Sequence, residues 1–274
     1  MFDAIWVVFA LSVGASVGSF LNVAADRLPA GGSVVTPRSY CDSCKRPLGN
    51  LELIPVFSYL LLRGKCRRCG VSIPPRFMAV EAATAFLFIL IYLKYGMGVQ
   101  FFVLAAAVSM LIVVSIIDLE HGLILNRVIY PTIVILMVLA PFWPELGLSR
   151  SFLGNSGMAG SMASSLVAGG GAFLLFLAII LLFPSGMGGG DVKLAGAVGL
   201  LVGFPQVLLA LWLAIVSGGL VAIFLLITRK RGRKDAIPFG PFLALSAVAV
   251  LLVGTEIVEW YQNSVSAWIS TWAL

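Results

Sequence analysis

Leu111-Ile112-Val113-Val114-Ser115-Ile116-Ile117-Asp118 closes a run that starts at Val99 and carries no charge before the aspartate. Residues 99–117 approach the ~20 residues a helix needs to cross the hydrocarbon core. Seven further apolar runs read the same way, at about 5–25, 77–95, 128–143, 162–183, 192–204, 207–228 and 241–260. The chain is 60% hydrophobic and 11% charged, with a mean hydropathy of +1.06. That balance excludes an ordinary soluble domain. The expected fold is all-α, a polytopic membrane bundle of about eight transmembrane helices with one small soluble loop. Residues 1–98 would hold the first two helices and the loop 26–76, and residues 99–274 a six-helix membrane domain. The run 192–204 is short and glycine-rich, so thinning of the bilayer or a re-entrant path is open for it.

The charges orient the bundle. Of the 18 Lys and Arg, nine lie between the first two spans and five, Arg229, Lys230, Arg231, Arg233 and Lys234, between the last two. Arg127 and Lys193 border the segments carrying Asp118 and Asp191, which leaves Lys94 and Arg150 for the opposite side. The positive-inside rule puts the basic loops in the cytoplasm. Eight crossings then set both termini outside, with Asp118 and Asp191 together at the cytoplasmic edge. Met1–Trp6 offers only Asp3 where a secretory signal has positive charge, so the first span reads as a retained helix. Its Gly14 and Gly18 have the spacing that lets membrane helices approach closely, and ordinary membrane-helix composition explains them equally well.

The loop 26–76 carries every cysteine of the chain: Cys41-Asp42-Ser43-Cys44 and Cys66-Arg67-Arg68-Cys69. Two CxxC turns supply the four thiolates of a tetrahedral zinc site, Cys41, Cys44, Cys66 and Cys69. Two disulfides are the alternative, which a cytoplasmic location disfavours. Four thiolates leave no open coordination position, so such a Zn²⁺ is structural.

Chemistry is narrowed by what is missing. The single histidine, His121, follows Glu120, so HExxH and multi-histidine metal sites are excluded; a Ser-His-Asp triad would have to use His121, and Walker loops are absent. His121 reads as an interfacial residue. Two aspartates remain: Asp118, and Asp191 in Met187-Gly188-Gly189-Gly190-Asp191-Val192-Lys193. Ionisable residues at a membrane edge are candidate functional groups. Two carboxylates sharing one proton act as general acid and general base on water. The plainer readings are that Asp118 ends the third span and Asp191 is an N-cap. Three glycines before Asp191 instead suggest a segment that lets another backbone, such as an extended peptide, come close.

These residues resemble a known family. Gly188-Gly189-Gly190-Asp191 fits the GxGD motif of intramembrane-type aspartic proteases, and the extension through Val192-Lys193 is similar to the bacterial type IV prepilin peptidases. Gly18–Val23 with Arg27-Leu28-Pro29, the paired CxxC loop, Glu52–Pro55 leading to Leu62–Cys66, Ile117–His121 continuing to Asn126, and Pro238–Pro241 follow that family's order across nearly the whole chain. The departure is Leu125, where the family often has proline. The resemblance implies an enzyme that removes the basic leader of type IV prepilins and type II secretion pseudopilins at the cytoplasmic membrane face. It further implies N-methylation of the new terminus with S-adenosylmethionine. Asp118 and Asp191 would be the catalytic pair. Methyl transfer is associated with the N-terminal half, where no cofactor motif is visible and Glu52 is the best acidic candidate. The basic loops suit anionic lipid headgroups, and no nucleic-acid partner is expected.

A proton-coupled transporter is the competing class, because paired acids in a glycine-broken bundle also suit carriers. Acids at one edge and no matching halves argue against it. A non-enzymatic assembly factor with a docking loop is a third. The topology is testable: a reporter active only in the cytoplasm should work when inserted near Arg231 and stay silent after Leu274. The reverse result would remove the charge argument and the crossing at 192–204.

Overall fold

The computed structural model describes residues 3–148, 150, 152, 154–183, 187–228 and 237–272; the Arg229–Lys234 cluster lies outside these. Each of the eight expected spans corresponds to a helix. They are α1 (Ala4–Arg27), α3 (Pro75–Tyr95), α4 (Val99–His121), α5 (Asn126–Leu139), α6 (Met158–Leu182), α7 (Gly189–Val202), α8 (Gln206–Ile227) and α9 (Gly240–Trp272), with a short α2 (Phe57–Leu61) in the loop. Six of them are long and apolar enough to cross a membrane; α5 with the 3-10 turn that follows it, and α7, are shorter. Leu125, the departure from the family pattern, has φ −72° and ψ 126° at the start of α5. Proline holds φ near −65°, so the backbone is the one proline would impose.

The chain forms two compact units, Met1–Ile117 and Asp118–Leu274. In the first, α1 packs along α3 through its glycines. A Cβ at Gly14 would lie 2.7 Å from the Ala85 Cα, and one at Gly18 would lie 2.7 Å from the Glu81 Cα. These two glycines therefore have a specific packing role, since helices in lipid gain attraction by close backbone approach. Farther along the contact, Asn22 Nδ2 donates to the Phe77 carbonyl at 3.0 Å, and Arg76 pairs with Asp26 at 2.6 Å.

In the second unit α7 is the interior. Eleven of its 14 residues are buried, against α5, α6, α8 and α9. Backbone contact with α6 is close: a Cβ at Gly199 would lie 2.4 Å from the Ala168 carbonyl oxygen, and one at Gly169 would lie 2.7 Å from Leu200 Cγ. Arg150 closes the far end. Its guanidinium donates to Ser165 Oγ at 2.8 Å, to the Leu200 carbonyl at 3.1 Å and to the Leu201 carbonyl, and it lies 4.4 Å from the Trp143 ring centroid. A cation there satisfies terminal carbonyls and opposes the negative end of the helix dipole. One of the two basic residues that the charge count sets apart is thus a buried helix cap.

Substituting Gly199→Val should lower thermal stability in detergent by about 1–3 kcal/mol, the usual cost of overpacking. Gly170, with nothing within 4 Å of its Cβ position, should accept alanine without loss. Equal melting of the two variants would contradict the α6–α7 packing.

Candidate active site and metal centre

Three helix ends meet at the aspartates. Asp118 lies in the last turn of α4, Asp191 in the first turn of α7, and Gly240 begins α9. Asp118 and Asp191 are 5% and 9% exposed, and the charge of Asp118 acts on Asp191. Each carboxylate is held at one oxygen. The Gly240 N–H donates to Asp118 Oδ2 at 2.9 Å, and the Gly188 N–H donates to Asp191 Oδ2 at 3.2 Å. Among the described residues no hydrogen bond reaches Oδ1 of either. The N-cap reading of Asp191 is one turn off: Gly188 is the cap residue, and the carboxylate satisfies its amide from three residues inside the helix. Of the three glycines, Gly190 is the packed one, with Ile124 Cβ 2.8 Å from its Cβ position; Gly188 and Gly189 are exposed. His121 and Glu120 lie exposed at the end of α4.

Two features here escape the sequence. Gly240 has room for no side chain, because a Cβ would lie 2.7 Å from Asp118 Oδ2. Its place between Phe239 and Pro241 is the signal that could have marked it. Lys193 pairs with neither aspartate; its Nζ donates to Asn126 Oδ1 at 2.8 Å and lies 4.9 Å from the Tyr130 ring centroid. It ties the first turn of α7 to the first turns of α5, fixing the helix end that carries Asp191.

The four thiols converge as well. The sulfurs of Cys41, Cys44, Cys66 and Cys69 lie within 4.8 Å of one another, with Cys41 and Cys69 3.7 Å apart, and all four are unbonded thiols. Disulfide sulfurs sit about 2.05 Å apart, whereas thiolates 2.3 Å from a tetrahedral zinc are about 3.8 Å apart. The cluster can therefore bind a metal. Its two turns share one geometry. Cys41 N–H donates to the Arg46 carbonyl and Lys45 N–H to the Cys41 carbonyl; Cys66 N–H donates to Val71 and Gly70 N–H to Cys66. Tyr40–Pro47 and Lys65–Ser72 bridge the bases of the two turns. The Cys69 and Arg68 amides aimed at the Cys66 sulfur bring its thiol down from 9.0 to about 6. Glu52 supports the first turn: its Oε2 accepts the Gly49 N–H at 2.7 Å and lies 3.5 Å from Arg46.

A multi-pass helical membrane protein with a buried carboxylate pair at a junction of helix ends is what fold and site define. Residues 12–95 match the bacterial peptidase A24 N-terminal domain, and residues 105–223 match the type IV leader peptidase family. The prepilin leader peptidase/N-methyltransferase of Bacillus subtilis (strain 168) is 32% identical over 249 residues, covering 90% of this chain and 94% of that protein. Proteins of the same description are 30% identical in Aeromonas salmonicida (strain A449), over 95% of this chain and 96% of the relative, and 31% identical in Pseudomonas putida, over 94% of each. No solved structure matches the chain. The chain belongs to the type IV prepilin leader peptidase/N-methyltransferase family. It is thereby an enzyme of the bacterial membrane, and the transporter and assembly-factor readings fall.

The matched turns make a paired prediction. Lys45 has φ +54° where Gly70 has φ +71°, and a non-glycine residue there costs roughly 1–2 kcal/mol. Lys45→Gly should protect the four thiols, slowing their labelling by a thiol reagent, and Gly70→Ala should speed it. A Gly70→Ala protein that labels as slowly as the wild type would show that the two turns are not equivalent.

Proposed function

We propose that this chain cuts the leader from type IV prepilins and pseudopilins with Asp118 and Asp191 as the catalytic pair. The observation that carries the reading is the meeting of two buried carboxylates, each anchored at Oδ2 by a backbone amide, with no hydrogen bond at Oδ1 among the described residues. One carboxylate, ionised, takes a proton from water as its oxygen attacks the scissile carbonyl carbon. The other, protonated, donates to the carbonyl oxygen; the leaving nitrogen then takes the proton that came from water as the C–N bond breaks, and the diol returns a proton to the second carboxylate as the new carboxyl group forms. A buried pair titrates as a unit, so the shared proton belongs to the pair and not to one acid. The exposed Gly188-Gly189 segment beside Asp191 gives an extended leader room to lie close, and the apolar part of the substrate stays in the bilayer. Residues 99–274 would carry this step. The site faces the cytoplasm, by the charge distribution, and the basic loops rest on anionic lipid headgroups.

The relatives' name adds methyl transfer to the new terminus, with S-adenosylmethionine as the consumed methyl donor. We assign this to residues 1–98. Zinc fits the four thiols by donor type and by sulfur spacing, and it would be structural, fixing the loop 26–76 with no part in proton transfer. Purified protein should contain about one zinc per chain.

Asp118→Asn and Asp191→Asn should each reduce prepilin cleavage to background, with folding intact. Asparagine keeps the size but can be neither the ionised base nor the proton donor. The double variant should be no worse than either single, since the pair acts as one device. Gly240→Ala should lower cleavage roughly 10- to 100-fold by displacing Asp118. Glu120→Gln should retain activity. Near wild-type cleavage by either asparagine variant would end the aspartic mechanism.

A further inference from the structure

The first unit contains a buried carboxylate of its own that the proposed peptide cleavage does not use. Glu81 of α3 is 9% exposed, and among the described residues no Lys, Arg or His lies within ion-pair distance of it. An uncompensated carboxylate that deep is costly. Its Oε2 accepts one hydrogen bond, from the Val56 N–H at 2.7 Å. Val56 is itself unusual, with φ +62° and ψ −51°, and the Phe57 N–H donates back to the Pro55 carbonyl at 2.6 Å. That is a γ-turn with positive φ, a rare and strained conformation, centred on a β-branched residue. Strain of this kind persists only where surrounding structure enforces it, and it clusters at functional sites.

One turn along α1 from the Gly18–Glu81 contact, Asn22 is 1% exposed. Its Nδ2 donates one of its two hydrogens to the Phe77 carbonyl, and its Oδ1 is buried with no partner among the described residues. Gly18 lies against Glu81 and Asn22 against Phe77; each pair of neighbours is four residues apart on its helix, so Asn22 and Glu81 are one turn apart along a single contact. Two acceptors are left over there, Asn22 Oδ1 and the second oxygen of Glu81. Acceptors beside an unpaired negative charge select a cation with several N–H donors. A primary ammonium meets that description with three.

We propose that Asn22 and Glu81 form a binding site for a primary ammonium, and that its occupant is the new amino terminus of the trimmed pilin. This rests on the methyl-transfer reading above. The ammonium donates to Asn22 Oδ1 and gives one proton to the Glu81 carboxylate, which frees the nitrogen lone pair. The amine then forms its N–CH₃ bond as the CH₃–S bond of the donor breaks, with that electron pair staying on sulfur. Glu81 returns its proton to solvent when the product leaves. An amino-terminal ammonium titrates near 8, so this step needs a nearby acceptor at neutral pH.

The test uses the full chain in phosphatidylglycerol nanodiscs and two synthetic pilin amino-terminal peptides, one with a free terminus and one acetylated. The wild type should prefer the free terminus by about tenfold or more, as expected for a charge-assisted hydrogen bond. Glu81→Gln should lose that preference. Its amide oxygen can still accept the Val56 N–H, so leader cleavage and metal content should stay at wild-type levels, which a purely structural role for the charge would not predict. Asn22→Ala should weaken the preference to an intermediate value, and it decides the question if Glu81→Gln does not fold. Full preference in either folded variant overturns the site. If phosphatidylethanolamine in the nanodisc displaces the free peptide from the wild type, a lipid headgroup is the occupant and the pilin assignment is overturned. A wild type that binds with preference but transfers no labelled methyl group refutes the methyl-transfer reading while leaving the ammonium site standing.

Discussion

The hydrogen bond from the Gly240 amide to Asp118 Oδ2 joins positions 122 residues apart, and the architecture of the second unit depends on it. A buried carboxylate needs donors, and a donor from the start of another helix fixes that helix as well as the acid. Glycine is required there because any side chain would occupy the volume of the oxygen it serves. The opposite wall is set in the same manner. Lys193, Asn126 and Tyr130 bind α7 to α5, and Gly190 admits Ile124 against the start of α7. Both acids are therefore held by backbone placement as much as by their own side chains.

Much of this was legible in the sequence because bilayers impose a coarse rule. A helix must hide its amides within itself and needs a long apolar run to do so, so all eight helices could be marked from hydropathy. The thiols were legible through their spacing, and the aspartates because charge is rare in such a chain. The partners of those acids were not legible. An amide donor has no sequence signature, and which glycine must be glycine depends on what approaches it. Glu52 drew attention as an acid in a family-like segment; in the fold it braces a cysteine turn through Gly49 and Arg46. Glu81 drew none, since a single acid inside an apolar run becomes informative only when its lack of a cation and the strained Val56 beside it are visible.

The cysteine loop shows how a small segment without a hydrophobic core obtains a defined shape. Its two turns repeat the same backbone pattern, and the sulfurs they present converge from both sides. A metal held by the four thiols would take the part that buried side chains play in a larger domain. The loop also carries Val56 against Glu81, so the backbone of a soluble segment is pinned to a carboxylate on a membrane helix. Order in the thiol cluster and order at the α1–α3 contact are linked through that one amide.

The burial of α7 has a consequence for the setting in which the enzyme works. A lipid-facing helix of 14 residues would be too short for most bilayers and would tilt, or thin the membrane, as thickness changed. Here α6, α8 and α9 surround it with spans of 22 residues or more, and its two ends are closed by Asp191 and Arg150. Mismatch is absorbed by the outer helices, and the depth of Asp191 is set by protein contacts alone. The depth of Asp191 below the membrane surface is thus a property of the chain, and under the proposed catalytic assignment the cutting depth stays constant when a bacterium remodels its fatty acids with temperature.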